Sequence, residues 1–285
     1  MDGGPGETDT ALERDLRRFL VAEIGRGGFD PRDGSFARFD AGFAGRLGAH
    51  GFIGTGWPRG LGGMGGGAAD RAVIAAALLA HGAPLRAHWV AEWLAGPLLL
   101  RAGSAAQQRE LLPRIAAGRL SLCIGLAEAA PGPGGGMPDG AGPCRAVPVG
   151  DGWRISGRKG PVADAAQAQR MILLARTAPP AQDGPAGITL FLVDLALPGI
   201  ALEPWPEAAG AAAVVLDDVF VAADRVIGTV DAGLEAWQAA AGAALAVPDG
   251  AVRGYLRLAG LLDGGAVAAA GGSGQDARPR GESAP

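Results

Sequence analysis

The stretch from Ser104 to Ala127, SAAQQRELLPRIAAGRLSLCIGLA, changes its hydrophobic period partway along. Ser104 and Gln107 make a capping box, and Leu111, Leu112 and Ile115 follow at helical spacing before Gly118 stops the run. From Leu120 the chain turns to short apolar runs bounded by Gly, Pro and Asp. Upstream, Thr10 and Glu13 make another capping box, with Leu12, Leu16, Phe19, Leu20 and Ile24 on one helical face. Phe36, Phe39, Phe43 and Leu47 form a second stripe, and a third helix is expected from near Asp70 to Gly82–Pro84. A fourth spans Leu85 to Arg101. Downstream, strands are expected at Leu120–Leu126, Arg145–Val149, Trp153–Ser156, Met171–Ala175, Ile188–Val193 and Ala213–Val221. Helical signals return near Asp231, with a break at Pro248. The fold class is therefore α+β: an N-terminal helical domain over residues 8–118, then an antiparallel β-barrel-like or sandwich domain over 119–228. A short C-terminal helical stub over 229–270 and a disordered tail over 271–285, rich in Gly, Ser and Pro, complete the expected order.

Composition narrows the function. Of 285 residues, 48% are hydrophobic and 19% charged, which suits a globular protein. The net charge is −4 and the basic residues are scattered, so no nucleic-acid stripe or membrane-binding patch is formed. No apolar run approaches the ~20 residues that a bilayer requires. The N-terminus lacks a basic, then apolar, leader, so the expected compartment is the cytoplasm. There Cys123 and Cys144 are expected as free thiols.

Several motifs invite a chemical reading. Gly60-Leu-Gly62-Gly-Met-Gly65 matches G-x-G-x-x-G, but Trp57-Pro58 stands where a strand should and Glu92 lies too far on to bind a ribose. A flexible connector is the better reading. His81 and His88 are spaced to share a helix face, yet no His-x-x-x-His pair and no CxxC occur, so no metal site is expected. No G-x-S-x-G elbow supports a hydrolase triad.

The pieces taken in order resemble the acyl-CoA dehydrogenase family. They are Gly51-Phe52-Ile53-Gly54 with Trp57-Pro58 and Gly62-Gly63, then Gly103 with Gln107, Leu112-Pro113 and Gly118. Leu126-Ala127-Glu128-Ala129 stands where the family writes Leu-Thr/Ser-Glu-Pro. Gly152-Trp153-Arg154-Ile155-Ser156-Gly157-Arg158-Lys159 is close to another family run, and the match continues through Ala175-Arg176-Thr177, Gly187 to Asp194, Pro198-Gly199 and Leu216 to Val221. The resemblance covers Leu12 to Ala246. It implies FAD as cofactor, an acyl-CoA or acyl-carrier substrate, oxidation of a CH–CH bond, and an electron-transfer flavoprotein as acceptor. It places the flavin against Ile124, Leu126, Ala127, Gly132, Pro133, Pro161 and Ala163, with Lys159 and Arg176 bordering the cavity.

Against the family pattern, the flavin-bonding hydroxyl falls on Ala127 and the following proline on Ala129. Gly-Ser-Asp falls on Gly132-Pro133-Gly134, the tryptophan on Pro161, and a Thr/Ser on Ala163. Each lost neutral hydrogen bond removes ~1 kcal/mol, and the lost aromatic contact ~0.5–1.5 kcal/mol, so flavin binding is expected to be weakened rather than abolished. The resemblance ends at Ala246, so the family's C-terminal bundle, which in much of the family carries the glutamate base, is expected to be largely missing from these residues. Asp249 is the carboxylate nearest the alternative base position, but it follows Pro248 and reads better as a solvated turn residue. Two expectations result: a flavoprotein subunit whose base comes from a full-length acyl-CoA dehydrogenase partner, or a non-catalytic scaffold or regulatory subunit of such an enzyme.

Overall fold

The computed structural model describes residues 10–126, 128, 144–178, 187–205 and 210–245. Helices come first. α1 (Ala11–Gly25) opens on Thr10, whose hydroxyl accepts the Glu13 N–H at 3.2 Å, and it buries Leu16, Phe19 and Leu20. α2 (Ala41–Ala49) starts later than the phenylalanine stripe suggests. The Asp40 carboxylate accepts the Phe43 N–H at 2.8 Å and so sets the cap, leaving Phe36 and Phe39 in the preceding loop. α3 (Ala68–Ala80) ends at His81, and His88 lies beyond the following turn, so the two histidines do not share a helix face.

The expected fourth helix is divided. A π-turn, Ala91–Ala95, leads into α4 (Gly96–Ala102), with the Gly96 N–H reaching back five residues to the Ala91 carbonyl. Pro97 follows with no N–H to give, so a regular i→i−4 ladder cannot run through this point. α5 (Ala105–Ala116) carries the predicted box: Ser104 Oγ accepts from Gln107 N and Gln107 Oε1 from Ser104 N. Gly118 ends it at φ +64°, and a Cβ there would sit 2.0 Å from the Ala44 carbonyl oxygen, so only glycine lets α5 and α2 meet.

The G-x-G-x-x-G segment is packed rather than a free connector. A Cβ on Gly63 would lie 2.3 Å from the Trp57 carbonyl oxygen, and one on Gly62 2.9 Å from Pro113 Cα. These glycines permit close packing beneath α5; the phosphate-loop reading is not needed to account for them.

The second half is one sheet: β1 (Leu122–Gly125), β2 (Arg145–Val149), β3 (Gly152–Val162), β4 (Arg170–Arg176), β5 (Ile188–Asp194), β6 (Ile200–Pro204), β7 (Ala212–Ala222) and β8 (Val226–Ile227). Its order is β6-β7-β3-β2-β4-β5-β8, with β1 also on β4. Most pairs are antiparallel, as expected, but β1 and the start of β2 both run parallel to β4. The pattern read from sequence missed β6 and β8 because β6 is largely exposed and β8 is two residues long. α6 (Gly233–Leu245) follows the sheet and packs on β5 and α4.

Alternation along the strands divides the interior in two. Leu122, Ile124, Leu126, Ile172, Leu174, Leu190 and Leu192 face the helices and join their core. Cys123, Met171, Leu173, Phe191 and Val193 face the opposite way and form a separate core with Ile155, Val214 and Val219. The period-2 geometry of a strand makes this sorting automatic. Both cysteines are buried free thiols.

Candidate functional site

Of the expected flavin residues that lie among the described ones, Ile124, Leu126 and Ala163 gather on the helical side of the sheet. Glu128 bridges Lys159 in antiparallel sense. β3 shifts register between Lys159 and Val162, so this bridge fixes the pairing at Lys159 alone. Ile124 and Leu126 belong to the helical-side core and Ala163 packs against it, while Pro161 stands within the shifted stretch of β3, two residues before Ala163. Exposure grades along this strip. Ile124 is already core, Leu126 is at its margin, and Pro161 and Ala163 are only partly buried. Ile124 therefore lies under the site, and the surface of the strip is formed by the other three.

Two ionic contacts bracket the strip. Lys159 is only 1% exposed. Its ammonium donates to the Leu126 carbonyl at 3.2 Å and to Glu128 Oε1. The other oxygen of Glu128 accepts the Cys144 N–H at 3.0 Å, and the Cys144 carbonyl accepts the Arg176 N–H at 2.8 Å. Lys159 and the backbone of Arg176 are thus linked through Glu128 and Cys144. At the other end Arg86, from the loop after α3, pairs with Asp164 and donates to the Ala37 carbonyl at 3.3 Å. This contact ties the residue after Ala163 to the helical half. Burial pushes the Cys144 thiol up to about 12, with the neighbouring Lys159 acting against that shift, so it is a poor nucleophile at neutral pH.

Ala127, Ala129, Gly132, Pro133, Gly134 and Asp249 lie outside the described residues. No group of three or more potential metal ligands occurs among the described residues. No described helix is long and apolar enough to cross a membrane.

A second polar cluster lies in the helical half, and sequence reading missed it. Glu92, in the π-turn, is fully buried and accepts the Gly54 N–H at 2.9 Å. Burial pushes its carboxyl up to about 7, against the Gly54 N–H and the Arg71 charge. Burial holds His88 down to about 4. The Arg71 guanidinium lies 3.8 Å from the centre of the Trp93 ring. An acidic residue within an apolar helical run, one turn after His88, was the available signal.

The larger described cleft, about 520 Å³, is elsewhere, on the seam between α5 and the end of the sheet. Its polar groups serve the seam. Gln107 Nε2 donates to the Asp224 and Val226 carbonyls, and Arg225 pairs with Glu110.

Comparison with known proteins gives a consistent result. Residues 6–119 match the family model of the acyl-CoA dehydrogenase N-terminal domain. The protein "Acyl-CoA dehydrogenase IpdE1" of Mycobacterium tuberculosis is 34% identical over 191 residues, covering 66% of this chain and 48% of that protein. "Acyl-CoA dehydrogenase FadE29" of the same organism is 32% identical over 191 residues, with the same 66% and 48% coverage. The chain thus spans about half the length of these curated relatives. A solved structure described as "Tcur3481-Tcur3483 steroid ACAD" superposes with a TM-score of 0.67 at 25% identity, covering 92% of this chain and 70% of that one. The ChsE4-ChsE5 complex from Mycobacterium tuberculosis superposes at 0.66 and 24% identity, over 83% and 60%, a likeness of fold.

Proposed function

We propose, on the premise that this chain belongs to the acyl-CoA dehydrogenase family, that it forms one wall of a flavin-dependent site oxidising an acyl thioester. The observation that carries this reading is the apolar strip of Leu126 and Ala163 on the helical side of the sheet, with Pro161 two residues before Ala163, flanked by the Lys159–Glu128 and Arg86–Asp164 ion pairs. Such a strip fits one face of a flat aromatic ring. It offers the ring's polar edge no hydroxyl, because Ala163 has none and the Lys159 ammonium is spent on Leu126 and Glu128. Backbone N–H groups are then the donors left, and the affinity for FAD is modest.

Bound FAD would supply the acceptor for the hydride of the acyl β-carbon. The chain's own residues do the rest of what this half of the site requires. Leu126, Pro161 and Ala163 keep water from one ring face. Lys159 holds the end of β1 to β3, and Arg86 ties the residue after Ala163 to the helical half. The two carboxylates beside the strip, Glu128 and Asp164, are both paired, so neither is free to take the α-proton. We assign that proton to a base from a partner acyl-CoA dehydrogenase chain. The two-part designations of the similar structures, Tcur3481-Tcur3483 and ChsE4-ChsE5, support a paired arrangement. The substrate is an acyl-CoA or acyl-carrier thioester, and an electron-transfer flavoprotein receives the electrons.

A second reading follows from the joint loss of the family's residues at Ala127, Pro133, Pro161 and Ala163: a non-catalytic scaffold or regulatory subunit of a partner dehydrogenase. One purification separates the two. The chain is prepared alone and with the neighbouring dehydrogenase chain, and flavin absorbance and acyl-CoA oxidation are recorded. Flavin that scales with this chain supports the first reading. Flavin that scales only with the partner supports the second, and colourless protein in both preparations rejects the first.

A further inference from the structure

We infer that the Lys159–Glu128 pair is a positioning device for the flavin wall, fixing the chain on both sides of residue 127 before any ring arrives. The inference rests on the flavin reading above. Its geometry is specific: one ammonium holds the Leu126 carbonyl and the Glu128 carboxylate, which are the residues immediately before and after position 127. The same carboxylate reaches the Cys144 N–H, whose residue is tied in turn to Arg176. Segments of β1, β2, β3 and β4 therefore converge on a single charge pair. A second neighbour restrains the same strand: a Cβ on Gly157 would lie 2.5 Å from Cys144 Cα, so β3 is seated directly on this point.

Stability alone does not explain the pair. Replacing a buried ion pair with apolar groups is often neutral or favourable. What the pair adds is a choice of one backbone arrangement over others. That choice matters most where side-chain donors are lacking, as at Ala163. When only backbone groups can bond a ligand, affinity depends on how well they are fixed beforehand.

The test compares FAD affinity and thermal stability in the full chain. Lys159→Met leaves Glu128 without its cation, and both quantities fall. The double variant Lys159→Met/Glu128→Gln removes both charges and keeps an acceptor for Cys144. It recovers most of the melting temperature, yet binds FAD at least about tenfold more weakly than the wild type, as a displaced contact group would. Glu128→Gln alone, which keeps the side-chain shape but removes the charge that holds Lys159, is the second variant; it also weakens FAD binding. Wild-type FAD affinity in the folded double variant, or in Glu128→Gln if the double variant does not fold, overturns the positioning role and leaves the flavin reading standing. A wild-type chain that takes up no FAD, alone or with its partner, overturns both.

Discussion

Two buried clusters of charge in this chain are resolved in opposite ways. At Lys159 and Glu128 the polar atoms find partners: two carbonyl or carboxylate acceptors for the ammonium, and a backbone N–H for the remaining carboxylate oxygen. At Arg71, Glu92 and His88, Nε and Nη2 of Arg71 and Nδ1 of His88 have none. The difference follows from the secondary structure around each cluster. Where β1 and β2 begin or end, backbone groups have no strand partner and are free to bond side chains. The second cluster sits among α3 and the π-turn, where the backbone carbonyls are consumed by the helices themselves. A charge buried at a strand end can fix the backbone, whereas one buried between helices mainly carries a desolvation cost.

The sharpest way to break this comparison is Lys159→Met. Removing one partner of a buried pair costs about 3–5 kcal/mol. Glu128 keeps some solvent contact, so the lower end is expected. At ~2–4 °C per kcal/mol for a domain of this size, the melting temperature falls by roughly 6–12 °C. A thermal melt unchanged from wild type would show that the cluster at the strand ends is as dispensable as a surface pair.

Much of the first cluster's setting could be read in the sequence. The period change after Gly118, the capping boxes at Thr10 and Ser104, and the strand runs from Arg145 onward are local signals. The run Leu120–Leu126 is expected as a strand, and strand geometry sends its neighbours Leu122, Cys123 and Ile124 alternately to the two cores. The family resemblance singles out Lys159 and Arg176, and a hydrogen-bonded chain through Glu128 and the Cys144 backbone links the Lys159 ammonium to the Arg176 N–H. What could not be read was long-range. The Arg86–Asp164 contact joins residues 78 positions apart, and no local pattern encodes it. The π-turn escaped because its cause, a proline without an N–H, also occurs in regular helices. The parallel β1–β4 pairing escaped because alternation reports which face a residue takes, not which neighbour its strand has.

The second cluster should reveal itself through pH. Glu92 has its folded value raised from 4.5 to about 7. Its contribution to stability is therefore complete below pH 4.5 and lost as the pH rises through 7. His88 has its folded value lowered from 6.5 to about 4, so its contribution is complete above 6.5 and lost as the pH falls through 4. Between these limits the two slopes oppose one another, and the wild-type curve has little net slope from this pair. Glu92→Gln removes one side. The stability of the variant relative to wild type should then fall towards acid, by as much as roughly 3 kcal/mol across the Glu92 window from pH 7 down to 4.5. Denaturant titrations at a series of pH values measure it. Parallel curves for variant and wild type would mean that the cluster is hydrated and its pKa values ordinary.

Arg71→Met should have the smallest effect and gives the most direct contrast with Lys159→Met, since the same replacement is made at a buried cation in each cluster. Burial lowers the Arg71 pKa, with Glu92 acting against it, and two of its nitrogens give nothing back. Methionine loses the stacking of the guanidinium on Trp93, worth ~0.5–2 kcal/mol, but removes the cost of burying that cation. The two terms oppose, and the net change should stay within about 1 kcal/mol. The effect should appear at Glu92 instead. Without the neighbouring cation its carboxyl is pushed further up, and the loss of stability on the alkaline side moves to higher pH. Should Arg71→Met destabilise the chain as much as Lys159→Met, the guanidinium has acceptors inside the fold, and the contrast between strand ends and helix surfaces fails at its clearest point.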